Sequence, residues 1–403
     1  MISLSDALAL YAQHLQPLAP QSLPLSAARG MVLAEAAQAA VDLPMFTQSA
    51  VDGYAVRSAD LTTACETAPV TLRLVGEIPA GAPAQSALAP GCAFRIFTGG
   101  ALPHGADTSA RQEIVERVGD EIRLRRPLAP GADTRFRGEE VREGDTLAAP
   151  GLRLHSGLLA ALAMAGVSQV RTRPRPRVAL LVSGDEVAEA GQVLRPGEIF
   201  DACGPLASAW LAERGCPLVS MQRVPDDPAR LHRALGDALA SADLVISTGG
   251  VSVGDRDYVP SVAQELGVRQ RYWKVAQKPG KPLWFGVNEH GTALLGMPGN
   301  PAAVFICLHL HAARVLALLE GETPCGPHWQ KGVLASEVRP DSQRDQLLRV
   351  AVNSGADGSV QLLPLPRQDS HMLSNLARAG GLAWIRSGTA KLAPGEVVDW
   401  LAV

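Results

Sequence analysis

Residues 244–258, LVISTGGVSVGDRDY, constrain the fold of this chain more than any other stretch. Leu244, Val245 and Ile246 form a short apolar, largely β-branched run that ends in Ser247, Thr248, Gly249 and Gly250. A run of that length bounded by glycines predicts a buried parallel strand opening into a tight loop. Glycine admits positive φ and lets backbone come close to a ligand. Loop N–H groups at the carboxyl end of such a strand can form an anion-binding concavity. Asp255 and Asp257 follow directly. Carboxylates do not bind phosphate, so beside a phosphate loop they suggest a bridging Mg²⁺. An ordinary turn with solvated acids is the plainer alternative.

Strands and helices alternate around this stretch. Residues 177–182 predict a strand ended by Ser183, Gly184, Asp185 and Glu186, and residues 206–214 a helix closed by Gly215. Residues 217–224 predict a strand, after which Asp227 caps a helix whose first residue is Pro228. A helix over 258–266 ends at Gly267, and Asn300 caps a last helix that starts with Pro301 and runs to about residue 319. The alternation predicts a parallel, doubly wound sheet covered on both faces. Residues 171–177, RTRPRPR, read as a stiff cationic connector into it. Beyond about residue 325 the alternation stops. Short runs at 332–338, 346–352, 359–363, 382–385 and 397–401 predict a C-terminal β-barrel or sandwich.

The N-terminal third has a different texture. Ser3 and Asp6 fit a capping box, and Leu4, Leu8, Tyr11 and Leu15 mark one helical face. A second short helix is expected at 27–36. Residues 47–146 are rich in Gly, Pro and short β-like runs such as 70–75 and 93–97. Ser156 then caps a helix over 157–165 that ends at Gly166. Helices on both sides of a β-rich block predict that the block is inserted into a helical domain. The expected division is 1–46 with 147–174, 47–146, 175–324 and 325–403. A chain of 403 residues holds roughly two to four domains, so four is within reach.

Composition excludes several classes. A net charge of −3 gives no reason to expect nucleic acid as a bulk electrostatic partner. The N-terminal residues lack a basic segment and an unbroken apolar core, so no signal peptide is expected. No run reaches the ~20 apolar residues that span a bilayer, so no membrane role is expected. The six cysteines include no CxxC pair, which predicts reduced thiols in the cytoplasm rather than a disulfide framework.

Polar and glycine residues crowd the predicted strand ends. Asp185 and Glu186, Asp226 and Asp227, and Asp255 and Asp257 follow three strands of one parallel sheet, whose carboxyl ends share a crevice. Six carboxylates there would repel one another without a cation, although Asp227 fits a plain N-cap role. Lys278-Pro279-Gly280-Lys281-Pro282 supplies the opposite charge on a stiff loop suited to an oxyanion. Pro298-Gly299-Asn300-Pro301 opens a helix whose N-terminus also favours an anion. A third group comprises Ser49, Asp52, Gly53 and Tyr54; Thr98, Gly99 and Gly100, with Asp107; and Arg137, Gly138, Glu139 and Glu140. His309 and His311 are two apart, hence on different helix faces, and are not expected to share a metal. His371 has no companion pattern beyond Asp369. HExxH and P-loop lysine motifs do not occur.

Taken together, SAVDGYAVR (49–57), RIFTGG (95–100), RGEE (137–140), SGDEV (183–187), STGGVSVGDRDY (247–258), KPGKP (278–282), GMPGNP (296–301) and SHML (370–373) resemble the MoeA family. These are the molybdopterin molybdenumtransferases, related to the E domain of gephyrin. The eight motifs fall in family order and cover nearly the whole chain. The resemblance implies an elongated four-domain protein that pairs as a homodimer. It implies that molybdate and adenylylated molybdopterin bind as substrates, that the metal is inserted at the dithiolene, and that AMP is released with the help of Mg²⁺.

The resemblance also implies roles. Asp52, Thr98, Glu140, Glu186, Asp226, Asp257, Lys278 and Lys281 would be catalytic, with Asp257, Glu186 and Asp226 on the Mg²⁺. Ser247, Gly249, Gly250, Ser252, Gly254, Pro298, Gly299, Asn300, Pro301, Arg344 and Ser370 would bind the cofactor precursor. The cleft would be completed by the other subunit's β-rich domain, which would give Asp52, Thr98 and Glu140 their roles. Other proteins of the cofactor pathway would be possible partners. The chain departs from the family pattern at Cys203, usually Asn, at Ala303, often near a serine, at Glu140, usually Asp, and after Asp107, where TSARQE is less apolar than usual. Rival readings are a molybdopterin adenylyltransferase, which shares the α/β domain, and a gephyrin-like scaffold. A dinucleotide dehydrogenase is disfavoured because no GxGxxG follows a strand.

Overall fold

Leu244–Thr248 is a strand, as predicted, and all five of its residues are buried. It belongs to a computed structural model that describes the chain except for residues 83–85, 253, 255, 356 and 389. The strand lies third in a six-stranded sheet ordered Leu218–Val224, Val178–Ser183, Leu244–Thr248, Ala293–Met297, Trp284–Val287 and Arg269–Trp273. The first four strands are parallel and the last two join antiparallel. Side chains alternate across a strand, so each face has its own core. Val178, Leu180, Leu244 and Ile246 pack under the Cys203–Glu213 helix and the Pro301–Leu319 helical stretch. Ala179, Leu181 and Val245 pack under the Pro228–Ser241 and Val259–Glu265 helices. Leu244, Val245 and Ile246 are each fully buried, contributing roughly 1.5–3 kcal/mol apiece, and so anchor the loop that follows.

The caps follow the predicted chemistry at two helices. Ser3 Oγ accepts from Asp6 N at 3.0 Å, and the Asp227 carboxylate accepts from Arg230 N at 2.8 Å. The Pro301–Leu319 stretch is long and apolar enough to cross a membrane, but 83% of it is buried in the protein, as a core helix is. It widens to π-helix over Leu308–Ala312.

After the α/β sheet, Asp345–Ser354 pairs with both Val360–Pro364 and Gly381–Ile385. With Gln330–Leu334 and Val397–Ala402 between them, these strands close into a barrel rather than a sandwich. Leu348, Val350, Leu362 and Trp400 fill it. The short Gln277–Lys278 strand pairs in parallel with Asp345 and Gln346, which ties the α/β unit to the barrel. In the N-terminal third, six strands from Gly53–Val56 to Glu121–Leu124 make the β-rich unit, with Tyr54, Val56, Leu72 and Ile122 in its core.

Several details differ from the sequence reading. Residues 27–36 are not a helix. A 3₁₀ turn at Leu25–Ala27 is followed by Gly30 at φ +73°, and Val32–Leu33 and Ala37–Gln38 become strands. Pairing with Gln169–Arg173 and Thr146–Ala148 overrides helical propensity there. Residues 171–173 are likewise part of a strand that also pairs with Gln21–Pro24, leaving only 174–177 as a connector. The Ser156–Met164 helix is capped by His155, whose Nδ1 accepts from Leu158 N at 3.3 Å, so Ser156 is inside it. The Leu4–His14 helix, assigned by its position to the N-terminal domain, packs on the α/β core: Tyr11 lies edge-on to Phe285, 4.7 Å between ring centroids.

Candidate functional site

The sheet order reverses at Val178–Ser183, which has Leu218–Val224 on one side and Leu244–Thr248 on the other. Ligands of open α/β sheets bind beyond the carboxyl ends of strands at such a point. A cavity of about 610 Å³ lies there. Gly249 and Gly250 line it at φ +85° and +66°. A Cβ on Gly249 would come within 2.6 Å of the Ser183 carbonyl oxygen, so the two loops approach closely only because that residue is glycine. Gly249 N donates to Met297 O at 3.0 Å, and Trp273 Nε1 donates to Val251 O at 3.0 Å, pinning the loop from both sides.

Glu186, Asp226 and Asp257 all line this cavity, as do Ser252, Gly254 and the Pro298-Gly299-Asn300-Pro301 turn. The acids are not equally free. Asp226 accepts from Ser183 Oγ at 3.0 Å, and Asp257 accepts from Gly254 N at 2.6 Å. Asp185 accepts from Asp226 N and pairs with Arg256 at 3.3 Å, so it serves the loop. Asp227 is the N-cap, and Asp255 lies outside the described residues. Among the described residues no three His, Cys, Asp or Glu side chains are grouped to hold a metal ion. Glu186, Asp226 and Asp257 therefore share a wall without forming a cage.

A second cavity of about 320 Å³ adjoins the first; Pro282, Pro298, Asn300 and His371 line both. Lys278, Lys281 and Arg344 line it, with Ser370 and Asp369. Asp341 sits behind the cations, 3.0 Å from Arg344 Nη2 and 3.8 Å from Lys278 Nζ. Hydrogen bonds from the Gln343 backbone, with Arg344 adding its charge, hold the Asp341 carboxyl below its ordinary range. Three cations face two carboxylates, which leaves this cavity net positive.

Ser247 does not reach either cavity. Strand alternation turns it to the face that Val245 occupies, and Thr248 lines the first cavity in its place. Asp52, Thr98 and Glu140 also line neither. The Asp52 carboxylate accepts from both Thr98 N and Thr98 Oγ1 at 2.8 Å, and those bonds hold it ionised, below the usual carboxylate range. Glu140 is exposed and its N–H donates to Leu43 O. Asp107 caps the turn at Ser58, accepting from its N–H and hydroxyl.

Sequence reasoning missed Asp201, Cys203, Arg256 and His371 as lining residues. Asp201 is spent on Gly204 N at 2.8 Å and Arg223 Nε at 3.0 Å. The Cys203 thiol donates to Gly299 O at 3.3 Å, and burial, with the nearby Asp201 charge, pushes it up to about 12, so it is no nucleophile at neutral pH. His371 stands where the two cavities meet; its place in SHML was the available signal.

Three family models match in succession: the MoeA N-terminal region (domain I and II) over residues 2–166, a probable molybdopterin binding domain over 179–317, and the MoeA C-terminal region (domain IV) over 331–403. The chain is 34% identical over 378 residues to a molybdopterin molybdenumtransferase of Nostoc sp., covering 93% of this chain and 86% of that protein. It is 30% identical to one of Haemophilus influenzae, covering 99% and 98%. A crystal structure of a molybdopterin biosynthesis MoeA protein from Pyrococcus horikoshii superposes with a TM-score of 0.86 at 26% identity, over 100% of both chains.

Proposed function

This chain belongs to the MoeA family, and from that premise we propose what its cleft does. The chain is a molybdopterin molybdenumtransferase, an enzyme of molybdenum cofactor biosynthesis. Adenylylated molybdopterin occupies the cavity under the glycine loop, and molybdate enters the cationic cavity beside it. The phosphoanhydride is cleaved and AMP leaves as molybdenum is placed on the dithiolene. One observation carries this reading: two cavities of opposite lining charge abut and share Asn300 and His371.

The residues divide the work by charge. The Gly249–Gly250 turn lets backbone come close to a phosphate, with the Gly249 N–H itself spent on Met297 O, and Lys278, Lys281, Arg344 and Ser370 offset the charge of the oxyanion by charge-assisted hydrogen bonds. Glu186, Asp226 and Asp257 present hard oxygen donors without completing a cage. Mg²⁺ commonly takes one or two carboxylates and finishes its shell with water and substrate phosphate oxygens, so these residues fit it once the anhydride is bound. When bound, it would neutralise charge on the phosphoanhydride.

Asp52, Thr98 and Glu140 act on the cleft of a second copy in a homodimer. Met45, Phe46 and Phe136, on the loops beside them, are 41–56% exposed, which supports coverage of that surface by a partner. The domain division 1–46 with 147–174, 47–146, 175–324 and 325–403 is supported by separate cores, with the first helix docked on the α/β unit. The enzyme acts in the cytoplasm.

The test is incubation of the purified protein with adenylylated molybdopterin and Mg²⁺, with and without molybdate, following AMP. Molybdate-dependent AMP release is expected. Its absence with intact substrate would overturn the reading.

A further inference from the structure

The cationic loop is held from beneath by a buried chain of polar side chains. Tyr272 and Tyr11 are hydrogen-bonded through their hydroxyls, Tyr11 Oη lies 2.8 Å from His311 Nδ1, and His311 Nε2 lies 2.8 Å from Gln277 Oε1. Gln277 Nε2 then donates to Gly280 O at 3.2 Å and approaches Cys307 Sγ at 3.7 Å. Gln277 and His311 have no exposed surface, and neither does Tyr11.

The direction of every bond follows from one end. A backbone carbonyl only accepts, so the Gln277 amide must turn its nitrogen to Gly280 and its oxygen to His311. His311 Nε2 must then carry the proton and donate. Nδ1 is left as an acceptor for the Tyr11 hydroxyl, and Tyr11 in turn accepts from Tyr272. Burial pushes His311 down to about 3, so the ring stays neutral, as this arrangement requires.

Buried polar chains stabilise only when each member is satisfied, and a fully satisfied one makes a rigid support. This one draws on three separated parts of the sequence and is reached through a π-helical widening at Leu308–Ala312 that includes His311. π-bulges inside helices are frequent at functional sites. Gly280 completes the fit. It has φ +98°, and a Cβ there would fall 2.4 Å from Gln277 Nε2 and 3.1 Å from Cys307 Sγ. Glycine between the two lysines is thus required by the amide packed under it. Ile2 adds a strap from outside, accepting from Ala276 N at 2.7 Å.

We propose that His311 and Gln277 are positioning residues for oxyanion handling: through the Gly280 carbonyl they fix the loop that carries Lys278 and Lys281. The proposal rests on the reading of that loop as the molybdate site. Displacing charged groups by about 1 Å can lower a rate about a hundredfold. His311→Phe keeps a ring but removes both polar contacts, and Gln277→Met keeps the length but removes the amide. Each should raise the molybdate concentration for half-maximal AMP release about tenfold or more, with the half-saturating concentration of adenylylated molybdopterin changed by less than about twofold. His311→Gln, which can accept from Tyr11 and donate to Gln277, should restore most of the molybdate response. Lys281→Ala is measured alongside. If Lys281→Ala leaves the molybdate response unchanged, the loop reading fails and the proposal with it. If Lys281→Ala shifts the response while folded His311→Phe or Gln277→Met does not, or if both substrates weaken equally, the positioning role is overturned.

Discussion

Asn300 Nδ2 donates to Ser370 Oγ at 3.0 Å, joining the first turn of the α/β unit's last helix to a loop of the C-terminal barrel. Asn300 was expected to cap its helix, but its side chain makes no cap bond and reaches across to the barrel instead. That bond sits where the carboxylate-lined and cation-lined cavities meet. The cleft is therefore built by two units that are distant in sequence, and its two charges belong to different walls.

The cationic wall gives the first prediction. Lys278→Ala or Lys281→Ala removes a charge-assisted contact, worth roughly 1.5–3 kcal/mol. The molybdate concentration for half-maximal AMP release should rise about ten- to a hundredfold, as steady-state kinetics over a molybdate series would measure. No shift in either variant would remove the loop from anion handling.

Asp257 gives the second. Its carboxylate accepts from Gly254 N, and the amide oxygen of Asp257→Asn can take over that bond while losing the charge a hard cation prefers. AMP release should slow by on the order of a hundredfold. Binding of adenylylated molybdopterin and the melting temperature should change little. Wild-type AMP release by this variant under limiting Mg²⁺ would show that Asp257 is only a loop acid.

The third concerns assembly. Asp52 and Asp257 belong to separate units, and Asp52 lines neither cavity of its own chain. Asp52→Ala and Asp257→Ala should each be inactive alone and regain activity when mixed and allowed to exchange subunits. A mixture that stays inactive after exchange, verified by differently tagged chains, would rule out a shared cleft.

The fourth concerns the joint between the N-terminal unit and the core. Glu320, 3% exposed, accepts from Arg153 Nη2 at 2.7 Å and Arg175 Nη1 at 2.6 Å, and Arg153 also pairs with Glu322 at 2.8 Å. Glu320→Ala leaves two arginines with one carboxylate between them. Removing one partner of a buried pair costs about 3 kcal/mol at the low end. Urea unfolding should show the first transition moving to lower denaturant, while Glu322→Ala, at the more exposed partner, should move it less.

The fifth is acid sensitivity. Burial lowers His311 to about 3 and His309 to about 4, against an ordinary value of 6.5. Between those values the unfolded chain binds protons that the folded chain does not. Stability is therefore fully present above about pH 6.5 and is lost as pH falls toward 3. Tyr11, Tyr272 and Cys307, which share the His311 environment, are all pushed upward by burial and do not titrate in that window. His311→Gln should flatten the fall in melting temperature between pH 6.5 and 4 relative to the native chain. An unchanged slope would mean that His311 takes up its proton as readily in the folded chain as in the unfolded one.

Local pattern was enough for a large part of this molecule. Leu244–Thr248 was legible because a short apolar run before two glycines has few other folds available, and Asp227 before Pro228 because capping is settled within four residues. Charge at strand ends pointed to Glu186, Asp226 and Asp257, since parallel strands send their carboxyl ends to one side. Tertiary structure decided what depends on pairing between distant segments. Within 27–36, Val32–Leu33 became a strand because Gln169–Arg173 lies beside it, and Thr146–Ala148 pairs just beyond, at Ala37–Gln38. Ser247 faced away because register, not residue type, sets the face of a strand. The sequence offered nothing for His311 beyond its not sharing a metal with His309, because its partners, Tyr11 and Gln277, are 300 and 34 residues away. Hydrogen bonds across such separations are absent from any window of sequence, and they are what hold the cationic loop in place.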